Sequence, residues 1–294
     1  MKQNNLITLR VWGDFACFTR PEMKVERVSY PVMTPSAARG ILEAVFWEPE
    51  MYYIIDAIRI VKRGKWFSCR RNEVISTISI ESAKQWAKSP GKVSPIHAGG
   101  GAPDGTQRNM LALENVEYLV TAEVRLSALA DPSRCNVPKY LDQIRRRARS
   151  GKCFYRPCLG IREFAADFDF VDDPEVAFAA SGAEPIPYEP LGLMLYDVFD
   201  WRQFEKGFKW LKPEDLATAR AQFEAGLSGL GKGEKTKALK LYDADQSHRF
   251  AGVKIEPKPS FFQAEIRDNT LICHPKEENH PNGVRILFTD DKED

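Results

Sequence analysis

Val116-Glu117-Tyr118-Leu119-Val120-Thr121-Ala122-Glu123-Val124-Arg125-Leu126 decides the fold class. Val116, Tyr118, Val120, Ala122, Val124 and Leu126 alternate with Glu117, Thr121, Glu123 and Arg125, the two-residue period of a strand that buries one face. Two further alternations match it. Ile7, Leu9 and Val11 interleave with Thr8, Arg10 and Trp12 until Gly13-Asp14, and Phe164, Ala166, Phe168 and Phe170 interleave with Asp167 and Asp169. Tyr52–Val61 and Trp66–Ile80 read as strands between them, the second with Arg70-Arg71 in its middle.

Two helices interrupt the strands. Thr34-Pro35 opens the first, with Thr as N-cap and Pro in the first turn. Ala38, Ile41, Leu42 and Val45 form its buried stripe, Phe46 lies at its rim near Arg39 and Glu43, and Pro49 stops it. Pro138 opens the second, which Gly151 closes. Phe18–Met33 reads as a long loop carrying Arg20, Lys24 and Arg27. Residues 82–109, with Gly99-Gly100-Gly101, read as a polar, mobile loop.

The order is strand, helix, strand, strand, further strand, helix, strand. It predicts an α+β chain whose N-terminal domain is ferredoxin-like (RRM-like) with an inserted strand, over residues 1–173. Residues 174–294 form a C-terminal antiparallel β-sheet region: a linker over 174–190, a strand over Leu191–Val198, a helical insertion over 212–241 broken at Gly226–Gly233, and a hairpin of Phe261–Ile266 and Leu271–Cys273 around Asp268-Asn269. The acidic tail from Thr289 is expected to fray.

Charge narrows the function. The net charge of the 294 residues is only +1, yet residues 1–150 hold 23 Lys and Arg against 15 Asp and Glu, and the remainder 19 against 26. A basic half beside an acidic half points to one face that binds a polyanion. The densest basic stretch is Arg145-Arg146-Arg147-Ala148-Arg149, on the helix that begins at Lys139-Tyr140. Four guanidinium groups in five residues repel one another unless phosphates or carboxylates absorb the charge, and guanidinium grips phosphate through paired hydrogen bonds. A solvated helix face is the competing account.

Other chemistry is poorly supported. The four histidines (His97, His248, His274, His280) are far apart, and His274 and His280 read as surface residues flanking a loop. No metal is expected, and no cofactor: neither a phosphate-binding glycine loop nor a nucleophile elbow is present. The six cysteines have no paired C-x-x-C spacing, which suits reduced thiols in a cytoplasmic protein; Cys153 and Cys158 alone are close. No apolar run is long enough to span a membrane, and the polar N-terminus lacks the core of a signal peptide.

RNA is cut without metal when the 2′-hydroxyl attacks the adjacent phosphate, provided the protein moves protons and stabilises charge. Lys139 shares a helix face with Asp142, Arg146 and Arg149. It can be an acid, an electrostatic clamp, or a plain phosphate-binding lysine. Tyr155 and His97 are further proton carriers without an assigned place.

Several segments together resemble a known family: Val11–Phe15, Phe18–Arg27, Met33–Glu43, Arg70–Val74, Gln107-Arg108, Arg146-Arg147-Ala148, Cys153–Phe164 and Pro259–Phe262. They are similar to the CRISPR-associated Cas-five family of subtype I-C, a member of the RAMP superfamily, densely from residue 6 to about 170. The resemblance implies a metal-independent endoribonuclease that cuts the CRISPR repeat transcript beside its stem-loop. It implies that the protein then stays on the 5′ handle within the type I-C Cascade complex. The partners implied are the CRISPR RNA, the large, backbone-forming and small subunits, and target DNA through the assembled complex. The family's catalytic Tyr, Lys and His fall at Phe46, Lys139 and Tyr140, so only Lys139 matches. Phe46 stacks but carries no proton, and Tyr140 orients or delivers one only if strongly tuned. Arg20, Lys24, Arg27, Arg39, Arg70, Arg71, Arg108, Arg145, Arg146 and Arg147 are the expected RNA-binding set, less those that pair with Glu22, Glu26, Glu43 or Glu73. A non-catalytic subunit that only caps the handle, and a general single-strand binder, are the other readings.

Overall fold

A computed structural model describes residues 5–97, 99, 101–206, 208–210, 213–244, 250–252 and 257–288. In chain order the elements are β1 (Leu6–Ala16), β2 (Arg27–Val28), α1 (Pro35–Val45), β3 (Met51–Lys62), β4 (Lys65–Val74), α2 (Ile80–Lys88), β5 (Gly105–Leu126), α3 (Val137–Arg149), β6 (Asp167–Val171), α4 (Pro174–Ala179), β7 (Tyr188–Asp197), α5 (Arg202–Lys206), β8 (Phe208–Trp210), α6 (Pro213–Gly226), α7 (Lys232–Ala244), β9 (Phe250–Gly252), β10 (Ser260–Arg267), β11 (Thr270–Ile272) and β12 (Ile286–Phe288). The architecture is mixed α/β around one large sheet.

The sheet is organised on β5, which runs for 22 residues. Its C-terminal half lies between β1 and β3, and β6 pairs on the far side of β1, every pairing antiparallel. Its N-terminal half pairs with β4 and, in parallel, with the two residues of β2. The sheet continues beyond β3 through β11 to β10, which also pairs with β7 and β12. Apolar residues of β5 at positions 116, 118, 120, 122 and 124 join one core with Ile41, Leu42 and Val45 of α1 and Leu141 and Ile144 of α3. Met194, Phe262, Ile266 and Leu271 extend that core into the C-terminal strands.

Thr34 caps α1 as expected, accepting from the backbone N–H of Ala37. At the start of α3 Asn136 is the cap, accepting from the backbone N–H of Lys139. Asp268 and Asn269 both take positive φ (46° and 59°), as a two-residue hairpin turn requires. The Asn269 side chain donates to the Ile60 and Glu184 carbonyls and accepts from Ile186 N–H, fastening the turn to β3.

Several sequence expectations are corrected. The strand after Trp66 ends at Val74, because Ser79 caps a helix there and accepts from Ser82 N–H. The 82–109 segment is not one loop: α2, a 3-10 turn at Pro90–Lys92 and the first turns of β5 occupy most of it. The 174–190 segment contains α4, whose N-cap Asp173 follows from the Asp-Pro sequence. The interruption expected at Gly226–Gly233 separates α6 from α7. The acidic tail from Thr289 lies outside the described residues. Among the described residues no helix is long and apolar enough to cross a membrane.

The polar face of β5 is not solvated throughout. Glu117 is buried (4% exposed) between Arg10 and Lys62, at 2.7 and 3.1 Å. Glu123 accepts from Arg125 (2.7 Å) and lies 3.2 Å from Nε2 of His274. Burial alone raises the Glu123 carboxyl, but the His274 and Arg125 hydrogen bonds outweigh it and bring its pKa down to about 2. The stabilisation this carboxylate supplies is complete above its ordinary value of 4.5 and is lost as pH falls toward about 2. For His274 burial lowers the pKa, but Glu123 outweighs it and the net shift is upward, so its share is complete below 6.5 and is lost as pH rises past the elevated folded value. Glu123→Gln therefore flattens the acid limb of stability against pH. Denaturant unfolding between pH 5 and about 2.5 checks this, and an unaltered slope refutes it.

Candidate nucleic-acid interface

The C-terminus of α1 is where the expected catalytic and binding residues meet. A helix end leaves carbonyls without intrahelical partners. Here three successive ones are taken by three different elements. Ala44 O accepts from the backbone N–H of Phe154 (2.8 Å), Val45 O from Nε of Arg147 (2.8 Å), and Phe46 O from the hydroxyl of Tyr53 (2.8 Å). The Arg147 cation also sits 4.3 Å above the Phe154 ring. α1, α3, β3 and the 153–156 loop are thereby joined at one point.

Phe46 turns inward from this junction. It is 2% exposed, with its ring 6.4 Å from Tyr140 and 6.2 Å from Phe154, stacked on the latter. Tyr140 is wholly buried, and its hydroxyl has no hydrogen-bond partner within 3.5 Å. Burial, with Cys135 close by, pushes that hydroxyl well above its ordinary pKa. Phe46 therefore presents no face to a base, and Tyr140 is neither ionised nor in contact with solvent. Lys139, by contrast, is exposed one residue away. Its ammonium lies 5.2 Å from the centre of the Tyr140 ring and within 3.5 Å of the Arg134 carbonyl.

The basic residues divide by partner. Arg39 is bound to Asp197 through two hydrogen bonds (2.6 and 2.9 Å) and to Glu43 (2.6 Å). Arg71 is held by Glu73 and Glu163. Arg147 is committed to Val45 and Phe154. Arg20 lies over Tyr30 with Glu22 at 3.8 Å, Arg108 has Glu26 at 3.9 Å, and Arg145 has Asp142 at 3.6 Å. Arg149 pairs with Asp172 (2.5 Å) over the Phe170 ring. Arg70 meets only Asn109, at 3.4 Å, and the buried Nε of Arg27 has no partner. Among the described residues Lys24 and Arg146 have no acidic partner and are exposed. Thus α3 brings Lys139 and Arg146 to one outward face, while Arg39 and Arg71 serve the protein's own carboxylates.

His97 lies exposed in the loop before β5, where its backbone N–H donates to Asp104. Tyr155 is placed beside the junction. With Trp47, Phe154, Phe199 and Phe204 it lines a cleft of about 630 Å³ over Arg39 and Glu43. Sequence reading missed Trp47, Phe199 and Phe204, because they come from segments some 150 residues apart with no common period. It also misjudged His274 and His280. They are not two surface histidines: His274 is buried, and the rings stack at 3.8 Å and 14°. Together with Asp56 they bring three ligand-type atoms within 4.8 Å of one another. Ring nitrogens in parallel planes do not converge on one ion, and the Arg125 guanidinium lies 3.4 Å from His274 Nε2. This arrangement does not suit a cation. All six cysteines are free thiols.

The geometry predicts opposite behaviour for neighbouring arginines. Arg147→Ala loses a charge-assisted hydrogen bond and a cation–π contact, and should cost about 2 kcal/mol of folding stability. Arg146→Ala breaks no ion pair or side-chain hydrogen bond among the described residues and should stay within about 0.5 kcal/mol of the parent. Denaturant melts of the two variants check the contrast.

The chain is similar to known proteins in three ways. The family model described as CRISPR-associated protein (Cas_Cas5) matches residues 6–226. A protein of Mannheimia succiniciproducens named CRISPR pre-crRNA endoribonuclease Cas5d is 41% identical over 203 residues, which is 69% of this chain and 87% of that one. A protein of the same name from Thermus thermophilus is 40% identical over 198 residues, 65% of this chain and 72% of its own. A solved structure titled as a CRISPR-associated protein superposes with a TM-score of 0.50 at 15% identity, over 93% of each chain, a likeness of fold alone.

Proposed function

Because the chain belongs to the Cas5 family of CRISPR-associated proteins, we infer that it is an endoribonuclease acting on CRISPR precursor RNA. The observation that carries this is the identity of about 40% to two proteins bearing that name; the family match, over residues 6–226, includes α1, α3 and the 153–164 loop. The order β6-β1-β5-β3, with α1 and α3 as the intervening helices, supports a ferredoxin-like reading of residues 1–173 as the RNA-binding and processing unit. Residues 174–294, with the helical insertion at 212–241, then extend the sheet.

The cleavage is metal-independent. The 2′-oxygen forms a bond to phosphorus while the bond from phosphorus to the 5′-oxygen breaks. One proton leaves the 2′-hydroxyl and one reaches the departing 5′-oxygen. Lys139 stands in the first turn of α3, where the helix dipole adds to its own charge, and its ammonium stabilises the charged phosphorane-like transition state. Arg146, two turns along the same face, holds the sugar–phosphate chain, with Lys24 and Arg70 as further contacts. The RNA is the repeat transcript, cut next to its stem-loop. The protein keeps the 5′ handle and meets the other subunits of the type I-C complex, through which target DNA is reached.

One observation favours a second reading, a subunit that binds and caps the handle without cutting it. Phe46 and Tyr140 occupy the family's Tyr and His positions, and both are buried without a titratable partner for the 2′-hydroxyl.

A labelled repeat hairpin incubated with excess protein in EDTA separates the two. Cleavage is expected, and intact hairpin after prolonged incubation with binding retained leaves only the capping role. Lys139→Ala should slow cleavage about 10²–10³-fold while changing hairpin affinity much less. Equal losses in rate and affinity argue against its catalytic part. Arg146→Ala should weaken binding at every salt concentration and lower the slope of log K against log salt by about 0.7–1. An unchanged slope excludes that phosphate contact.

A further inference from the structure

Beside the α1 terminus lies an aromatic cleft whose outer rings stay open to solvent. Trp47, Phe154 and Tyr155 are 39%, 58% and 60% exposed, although each is large enough to be a core residue. They come from the exit of α1 and from the 153–156 loop, and Phe199 and Phe204 close the opposite wall from the segment after β7. A cleft of about 630 Å³ is of small-ligand size. Its walls are ring faces rather than branched aliphatic side chains.

The charge around it is particular. The floor carries Arg39 and Glu43, but they bind each other (2.6 Å) and Asp197 takes the rest of the guanidinium. With two carboxylates to one guanidinium the floor is net negative, so it directs an anionic group away from itself. A positive charge sits at the rim, where Arg147 covers the Phe154 ring. An aromatic slot with that cation at its mouth is complementary to a ligand with a flat, uncharged ring and a negatively charged tether. An apolar side chain from a protein partner has no use for that rim. On the far side of the buried Phe46 ring, which contacts both Phe154 and Tyr140, stands Lys139.

We propose that this cleft takes one unstacked base of single-stranded RNA, laid against Tyr155 and Trp47, while its phosphate is held at the Arg147 rim. The inference deepens the nuclease reading and rests on it. It places a single-stranded nucleotide of the transcript in a position that fixes the register of the chain relative to Lys139. Stacking of a base on an aromatic ring is tolerant of sequence, so the cleft sets where the strand lies rather than which base fills it.

The test uses the whole protein and a repeat hairpin with 2-aminopurine placed singly at each unpaired position. One position is expected to quench on binding, and its quenching is lost in Tyr155→Leu and kept in Tyr155→Phe. Tyr155→Leu should weaken hairpin affinity about tenfold, and Tyr155→Phe by less than twofold, since the ring and not the hydroxyl carries the contact. Tyr155 is largely exposed, so neither variant disturbs the core, and a denaturant melt confirms equal stability. Tight hairpin binding with no quenched position, or quenching unaffected by Tyr155→Leu, overturns the cleft assignment and leaves the nuclease reading standing. Failure of the parent protein to bind the hairpin overturns both.

Discussion

The carbonyls that end α1 are the point on which the site depends. A buried helix terminus must satisfy its own carbonyls or lose stability. This one does so with partners drawn from β3, from α3 and from the loop after it. The negative end of the helix dipole also makes a cation a favoured partner there, and Arg147 fills that place. The same three bonds that cap the helix set the spacing between the Phe46 ring, the Lys139 turn and the 153–156 loop. Rigidity at the candidate site is here a by-product of finishing a helix.

This explains why the basic run on α3 is not uniform in role. A helix turns by about 100° per residue, so Arg145, Arg146, Arg147 and Arg149 cannot share one face. Arg147 points at α1, and Arg149 at β6 through Asp172 and Phe170. Arg145 leans on Asp142. Among the described residues Arg146 is the one of the four without an acidic or carbonyl partner for its side chain, and it lies on the side where Lys139 stands. Much of the excess basic charge in residues 1–150 is likewise absorbed inside the molecule. Arg59 meets Glu175, Arg63 meets Glu189, and Arg39 meets Asp197. The first half of the chain is basic partly because the second half supplies carboxylates to it.

Much of this was legible before any coordinates. Alternation in β1, β5 and β6, the strand read over Tyr52–Val61, and the caps Thr34-Pro35 and Pro138 located the central sheet and its two helices, because those signals are local. Asp268-Asn269 located the last hairpin for the same reason. What could not be read was whatever depended on pairing across the chain. The polar period around Glu117 and Glu123 looked solvent-facing, yet Arg10, Lys62, Arg125 and His274 bury it. Phe46 looked free to stack on a ligand, since a residue at the rim of an apolar stripe is indistinguishable from one just inside it until its neighbours Tyr140 and Phe154 are placed. The helix α2 was hidden by its composition, since it has no buried residue to give it an apolar stripe. The aromatic cleft has no sequence period at all.

The hairpin that ends in β11 has one more consequence. β11 is a three-residue strand, and it supplies the outer partner of β3 at Ala57–Arg59. During synthesis that edge of β3 emerges long before residue 270 does. For most of translation the nascent chain carries an uncovered sheet margin, open to mispairing with other chains. Asn269, with its two side-chain bonds across to Ile60 and Glu184, is the latch that closes this margin last. The assembly order of the polypeptide is thus written into one short strand, and a chaperone would find its substrate in the interval before that strand arrives.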